Sequence, residues 1–288
     1  MVAALLLTLT AGVALAQDQA ADYFRVGAQE MAAGYPERAV ASLEKGVQLK
    51  PESKEGWYNL GVAYGAIRQH QKEVKAYEKA LELDPNYANA LHNLGLAFLD
   101  LGNRDAAIDA LSKLVKLDPG ATDGWNNLTV AYMTAGKLDE AIETANKAVE
   151  TAPASAEIRF NLSLALMKKG ESMESSERRQ PLLEQAITAL DKVLELDPAF
   201  YRAHYNKAVI HHMLGQSLSE VSAYRAAIAI KPDYTPALYN LAAALSATED
   251  YEAATDAWEK YIAAARNKSD EKPFLENARK EVARLRGL

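Results

Sequence analysis

The sequence predicts an all-α protein, an α-α superhelical solenoid of about seven helical hairpins with a C-terminal capping helix. Two observations predict it. Pro51, Pro85, Pro119 and Pro153 are each 34 residues apart, and Pro232 follows Pro198 by another 34. A fixed period of that size marks stacked structural units. Within each unit the same residue types recur in phase: Trp57, Leu60, Gly61 and Tyr64 return as Leu91, Leu94, Gly95 and Phe98, then as Trp125, Leu128, Thr129 and Tyr132.

Met1 to Ala16 carries no charged side chain and is rich in Leu, Ala and Val. It closes on Ala14-Leu15-Ala16, followed by polar Gln17-Asp18-Gln19. An apolar run ending in small-x-small reads as a cleaved secretory signal. That reading implies export, in a bacterium to the periplasm. No Lys or Arg precedes the run, so an uncleaved anchor and a chance apolar tail stay open. Membrane contact is expected only if the segment is retained. The run is shorter than the ~20 residues that span a bilayer.

The repeats occupy 20–53, 54–87, 88–121, 122–155, 156–200, 201–234 and 235–268. Most end in phrases such as Leu83-Asp84-Pro85, Leu117-Asp118-Pro119 and Leu196-Asp197-Pro198, where proline stops one helix before the next begins. Ala80, Ala148 and Ala227 sit five residues before their prolines, where a second helix must approach its neighbour closely. The fifth repeat carries eleven extra residues. There Gly170 is expected to close the first helix and Pro181 to open the second. The polar stretch between them either prolongs both helices or forms an edge loop, as a neutral insertion or a partner-contacting one. Arg266 stands where the seventh repeat should have proline, so its second helix is expected to run on. Residues 269–288 read as the cap, with Asp270 and Pro273 starting a helix that buries Phe274, Ala278, Val282 and Leu285. Lys272, Arg279, Lys280, Arg284 and Arg286 stay outside, as a solvated face or a basic docking face.

This pattern resembles the tetratricopeptide repeat: Trp, Leu, Gly, Tyr, Ala, an aromatic or Leu, Ala and Pro at positions 4, 7, 8, 11, 20, 24, 27 and 32. Departures fall at position 20, which holds Glu73 and Glu220 in two repeats, and at position 8, which holds Thr129 and Ser163, where packing should widen. The resemblance implies that the first helix of each hairpin lines an inner surface. Position 6 there is Asn59, Asn93, Asn127, Asn161, Asn206 and Asn240. Mid-helix Asn is mildly unfavourable, so its recurrence needs a cause. The series is similar to the asparagine ladder in the repeat domain of the transferase that attaches N-acetylglucosamine to serine and threonine. In that ladder inward amides grip a polypeptide backbone, and the match covers the repeat domain only. The alternative is that each Asn bonds a neighbouring repeat. Six amides at about 1 kcal/mol each supply at most ~6 kcal/mol, a grip of tens of micromolar before ordering costs.

Specificity must then come from the neighbours. Position 5 holds Phe24, Tyr58, His92, Asn126, Phe160, Tyr205 and Tyr239, of which Tyr58, His92, Phe160, Tyr205 and Tyr239 are the candidate anchors. Part of this set packs between hairpins on the other reading. Position 9 is Val62, Leu96, Val130, Leu164 and Val209, and position 2 adds Glu55, Asn89, Asp123, Glu157 and Arg202. An aliphatic and aromatic groove with a mildly acidic rim favours an extended, neutral or basic peptide. The carboxylate clamp of chaperone-binding relatives is not expected, because position 5 holds no Lys or Arg and position 9 is apolar.

Composition excludes other classes. Net charge is -7, with no long basic run to follow a phosphate backbone, so no nucleic-acid partner is expected. There is no cysteine, hence no disulfide, thiol nucleophile or cysteine-held zinc. His204, His211 and His212 share a helix without the spacing that joins two on one metal, and His204 and His211 read as packed at positions 4 and 11. No glycine-rich phosphate loop or nucleophile motif occurs. Neither cofactor nor metal is expected. The sequons at Asn127, Asn161 and Asn267 read as coincidences, the first two belonging to the repeat pattern. The function expected is a non-enzymatic scaffold that binds a peptide or partner protein. The alternative is an assembly subunit of an envelope complex, docking through its convex face or termini.

Overall fold

A computed structural model describes residues 18–287. The segment read as a leader lies outside them. Among the described residues the chain is helical throughout, with no strand. Helix α1 runs over 18–32. It pairs with α2 (Pro36–Leu49), and further hairpins follow: α3 (Lys54–Ala66) with α4 (His70–Leu83), and α5 (Ala88–Asp100) with α6 (Arg104–Leu117). Then come α7 (Thr122–Thr134) and α8 (Leu138–Thr151), α9 (Ala156–Glu171) and α10 (Ser176–Leu196), α11 (Tyr201–Met213) and α12 (Ser217–Ile230), and α13 (Thr235–Ala247) and α14 (Tyr251–Ala265). A single 3-10 turn at Ser269–Glu271 leads into α15 (Lys272–Arg286). The chain divides into two compact units, one ending at Thr144 and the other beginning at Ala145, inside α8. Each is described by itself.

The Leu-Asp-Pro phrase ends helices by local chemistry. The residue before proline is driven out of helical geometry, and Asp84, Asp118 and Asp197 sit at extended φ/ψ. Their carboxylates accept from the backbone N–H of Asn86, Gly120 and Ala199 at 3.0, 2.9 and 3.0 Å. Position 4 of the next helix then ties down the proline carbonyl. Trp57 Nε1 donates to Pro51 at 2.8 Å, Trp125 Nε1 to Pro119 at 2.9 Å, and Arg159 Nη2 to Pro153 at 2.8 Å. His204 makes the corresponding bond to Pro198, and burial holds its pKa below the usual histidine value. Position 4 is therefore a turn clamp in these four repeats, while Leu91 and Leu238 hold it as buried core residues. His204 is half-buried, not fully packed, and half-buried His211 bonds Gln216 Oε1 at 2.6 Å.

Outside the lengthened fifth repeat, the turn inside each hairpin takes one left-handed residue at position 15. Gly34, Gly102, Gly136 and Gly215 supply it with φ between 69° and 78°. Two bonds close the helix end, as in Gly102 N–H to Leu99 O and Asn103 N–H to Phe98 O. Arg68 (φ 57°) and Glu249 (φ 62°) take the same conformation without glycine's freedom.

Close helix approach explains position 8. A Cβ on Gly61 would stand 2.5 Å from Tyr77 Cε1, and one on Gly95 would stand 2.6 Å from Leu111 Cγ. Tyr77 and Leu111, at position 24 of the second helix, fill that space and are buried. Burying such a side chain contributes roughly 1.5–3 kcal/mol. At the two departures the hydroxyl is satisfied within its own helix. Thr129 bonds Trp125 O at 2.9 Å and Ser163 bonds Phe160 O at 2.6 Å.

One open alternative is decided and four expectations are corrected. The eleven inserted residues lengthen both helices of their hairpin, α9 to 16 residues and α10 to 21, leaving a short link at 172–175. Gly170 does not end α9. It is buried within it, where a Cβ would stand 2.9 Å from Leu183 Cδ2. Pro181 lies inside α10, which starts five residues earlier; it forgoes only a bond to an exposed carbonyl near the helix start. α14 stops at Ala265 despite Arg266, because the Lys268 N–H closes back on Ala265 O. On α15 the buried residues are Leu275, Ala278 and Leu285, while Phe274 is half exposed. No described helix is long and apolar enough to cross a membrane.

Candidate functional site

The site builds from the first helix of each hairpin. In the unit ending at Thr144, α3 touches α5 and α5 touches α7, so positions 5, 6 and 9 of successive repeats adjoin. Tyr58, Asn59, His92, Asn93, Asn126 and Asn127 are all partly exposed there, as are Val62, Leu96 and Val130. A cavity of about 370 Å3 opens between repeats, with Tyr58, Asn89, His92 and Asn93 on one side and Asp118 and Asp123 on the other. Asp123 has no ion-pair partner among the described residues, so it adds negative charge to this rim.

Three amides of the ladder, Asn93, Asn127 and Asn240, meet position 5 of the preceding repeat. Asn93 Nδ2 donates to Tyr58 Oη and to Tyr77 Oη, both at 3.3 Å. Asn127 Nδ2 lies 2.9 Å from His92 Nε2, and His92 Nδ1 lies 3.2 Å from Asn93 Oδ1. An amide N–H can only donate, so His92 accepts at Nε2 and donates from Nδ1. One polarised chain results: Asn127 to His92 to Asn93 to the two tyrosines. Burial pushes the Tyr77 hydroxyl well above the usual phenol pKa. In the second unit Asn240 Nδ2 donates to Tyr205 Oη at 3.2 Å. Asn277 on α15 repeats the arrangement, donating to Tyr239 Oη at 2.9 Å.

The series therefore ties repeats together where position 5 is a tyrosine or the histidine. Asn59 follows Phe24, which offers no acceptor, and its side chain has no hydrogen bond among the described residues. Asn161 and Asn206 are buried, at 7% and 8% exposure, and present little to a ligand. Phe160 is likewise buried at 5%. Its ring lies 5.0 Å from Phe200, with the Arg202 guanidinium stacked over both. Arg202 also pairs with Glu157 at 3.3 Å, so the acidic rim fades in this unit. Tyr205 and Tyr239 remain half-buried, each edge-on to further aromatics: Tyr205 to Tyr234, and Tyr239 to Trp258 and Tyr261.

Sequence reasoning passed over Asn277, Tyr77 and Tyr224, which receive or extend these bonds from helices not counted as lining the groove. The signal was present: Asn277 stands in the cap as the ladder's next amide. No three His, Asp or Glu side chains among the described residues converge as metal ligands do.

Family models described as tetratricopeptide repeat match residues 55–87, 92–156, 131–172 and 176–235, and one described as TPR repeat matches 74–102. Together they cover more than half of the chain. The chain belongs to the tetratricopeptide-repeat family. No curated protein matches the sequence significantly. Among solved structures it is similar to YrrB, described as a TPR protein with an unusual peptide-binding site (22% identity, 69% of this chain and 96% of that one, TM-score 0.55). It is also similar to MamA from Desulfovibrio magneticus RS-1 (23% identity, 64% and 97% covered, TM-score 0.55). A tetratricopeptide-repeat protein of Parabacteroides merdae aligns over 91% of this chain and 99% of its own (14% identity, TM-score 0.66). At such identities the likeness is one of fold.

Proposed function

We propose that this tetratricopeptide-repeat protein is a non-enzymatic scaffold whose first-helix face binds an extended, neutral or basic segment of a partner protein. The observation that carries this reading is the cavity beside Tyr58, His92 and Asn93. It joins a half-exposed aromatic, an imidazole, two amides and two carboxylates, with Ala88, Leu114 and Ala121 as its apolar lining. Asn59 keeps its whole amide, Asn127 keeps a carbonyl and a second N–H, and Asn93 and Asn240 keep carbonyl lone pairs for a peptide backbone. This weakens the expected grip of six equivalent amides. In the first unit Asn59, Asn93 and Asn127 carry it, and in the second Asn240 does. The peptide-binding site named for YrrB supports the same use of the fold. The apolar run ending at Ala16 supports an exported setting.

A second reading, assembly through the opposite face, has an observation of its own. A cavity of about 330 Å3 beside Trp57, Leu60 and Tyr64 is rimmed by Lys72, Lys75, Lys79, Glu78 and Glu82. One comparison separates them. Dodecapeptides selected on an array should lose about fivefold or more in affinity when His92 and Asn89 become Ala, a loss of about 1 kcal/mol or more. They should be indifferent to Lys75→Ala with Lys79→Ala. The reverse pattern would favour assembly.

A further inference from the structure

Position 20 is where these hairpins are tightest. Ala39, Ala107, Ala141, Ala186 and Ala254 occupy it with no exposed surface. Repeats two and six place a glutamate there instead, and they share more than that. Tyr58, Val62, Glu73, Tyr77 and Asn93 stand at positions 5, 9, 20, 24 and the following 6. Tyr205, Val209, Glu220, Tyr224 and Asn240 stand at the same positions in the other unit. The geometry is duplicated too. The tyrosine rings are 5.8 Å apart in both, and the amide meets the first hydroxyl at 3.3 and 3.2 Å.

The two copies differ in what covers the carboxylate. In repeat two, Glu73 lies over Gly65, where a Cβ would come within 2.7 Å of its Oε1, and it pairs with His70 at 2.9 Å on its own helix. Leu96 and Asp100 stand at positions 9 and 13 of the next helix. In repeat six those positions are Ala243 and Ala247. A cavity of about 490 Å3 opens there beside Glu220, walled by Tyr205, Val209 and Asn240. Glu220 is 6% exposed. Among the described residues its ion-pair partner is His212, whose side chain is 72% exposed and 3.1 Å away.

We propose that this cavity receives a lysine or arginine side chain of the bound peptide, with its cation on Glu220. The alkyl stem would lie along Val209 and the two alanines, and the Tyr205 hydroxyl and Asn240 amide would wall the charged end. A carboxylate with little water around it attracts an arriving cation more strongly than an exposed one does. His212, nearly all in solvent, can yield its place. The larger Leu96 and Asp100 would fill the corresponding space beside Glu73, so the pocket selects a basic residue at one register of the ligand. This assignment rests on the peptide-binding reading above.

The test reads an array of random dodecapeptides with the full protein, with Glu220→Gln, and with Ala243→Leu, which copies Leu96 of repeat two. Wild type should select peptides with Lys or Arg at one register. Fluorescence anisotropy on a selected peptide should show each variant binding it about tenfold or more weakly. The counterpart with glutamine at that register should bind wild type and Glu220→Gln alike. Glu73→Gln should leave selection unchanged. Ala243 is exposed, so Ala243→Leu carries the test alone if Glu220→Gln does not fold. Peptides selected without a basic residue, or basic selection that survives both variants, overturn the pocket and leave the groove standing. If wild type selects no peptide at all, the groove reading falls and the pocket with it.

Discussion

Replacing Asn93 by alanine separates the two roles of the ladder, because a neighbouring position offers a matched control. Asn93 donates to both Tyr58 and Tyr77 at 3.3 Å and accepts from His92. Each net hydrogen bond contributes about 1 kcal/mol, and long ones less. Tyr77 is 1% exposed, so its hydroxyl would lose a partner where water cannot readily replace it. Together these should destabilise the protein by about 2 kcal/mol. Asn59→Ala, one repeat earlier, removes no hydrogen bond to a described residue and gains helix propensity. It should be neutral or stabilise by about 0.5 kcal/mol. The assay is urea unfolding of both variants followed by helical ellipticity, with Tyr77→Phe combined with Asn93→Ala to close a double-mutant cycle. The cycle should return a coupling of about 1 kcal/mol. Equal midpoints for Asn59→Ala and Asn93→Ala, or no coupling, would refute the inter-repeat tie.

Three further outcomes follow from the structure. Arg68→Gly and Glu249→Gly relieve left-handed backbone and should each raise stability by about 1 kcal/mol, read as a higher unfolding midpoint. Gly95→Ala sets a Cβ 2.6 Å from Leu111 Cγ and should cost about 1–3 kcal/mol; Leu111→Ala should cost less in that background than in wild type, the two changes being less than additive. Burial raises the Glu73 pKa, with the His70 pair opposing and Asp100 adding to the rise. The folded state therefore favours its protonated form. The stability this lends is complete below the ordinary glutamate value of about 4.3 and is lost as pH rises through the raised folded value. Glu73→Gln should flatten that fall, giving a higher Tm than wild type at neutral pH and a converging one in acid.

The proline period and the in-phase Trp, Leu, Gly and Tyr made the helical array legible, because each residue answers a local demand that repeats with every hairpin. Pro85 and Asp84 stop a helix by backbone geometry, and Gly61 admits Tyr77. The same local logic failed at the insertion. Helix-forming residues before Pro181 let α10 begin early, and proline is tolerated near a helix start. Gly170 reads equally as a helix end or a close contact, because glycine serves as both, and only the position of Leu183 decides between them. Phe274 and Leu275 could not be told apart on α15, since a one-residue rotation exchanges the face that meets the last hairpin. The inner-face residues were legible from the recurring Asn, but their engagement was not. Whether Asn93 is free or bound depends on Tyr58, 35 residues earlier, having a hydroxyl where Phe24 has none. Glu220 looked like a departure from the repeat; its cavity appears only when Ala243 and Ala247 are seen beside it.

The central claim is that a peptide lies on the first-helix face, and methyl NMR tests it directly. Val62, Leu96, Val130 and Val209 report from position 9 of that face, and Leu60 reports from the opposite cavity. Titration with an array-selected dodecapeptide should shift the position-9 methyls in a saturable way and leave Leu60 still. Shifts confined to Leu60 and its surroundings, with the position-9 methyls unmoved at saturation, would contradict the account.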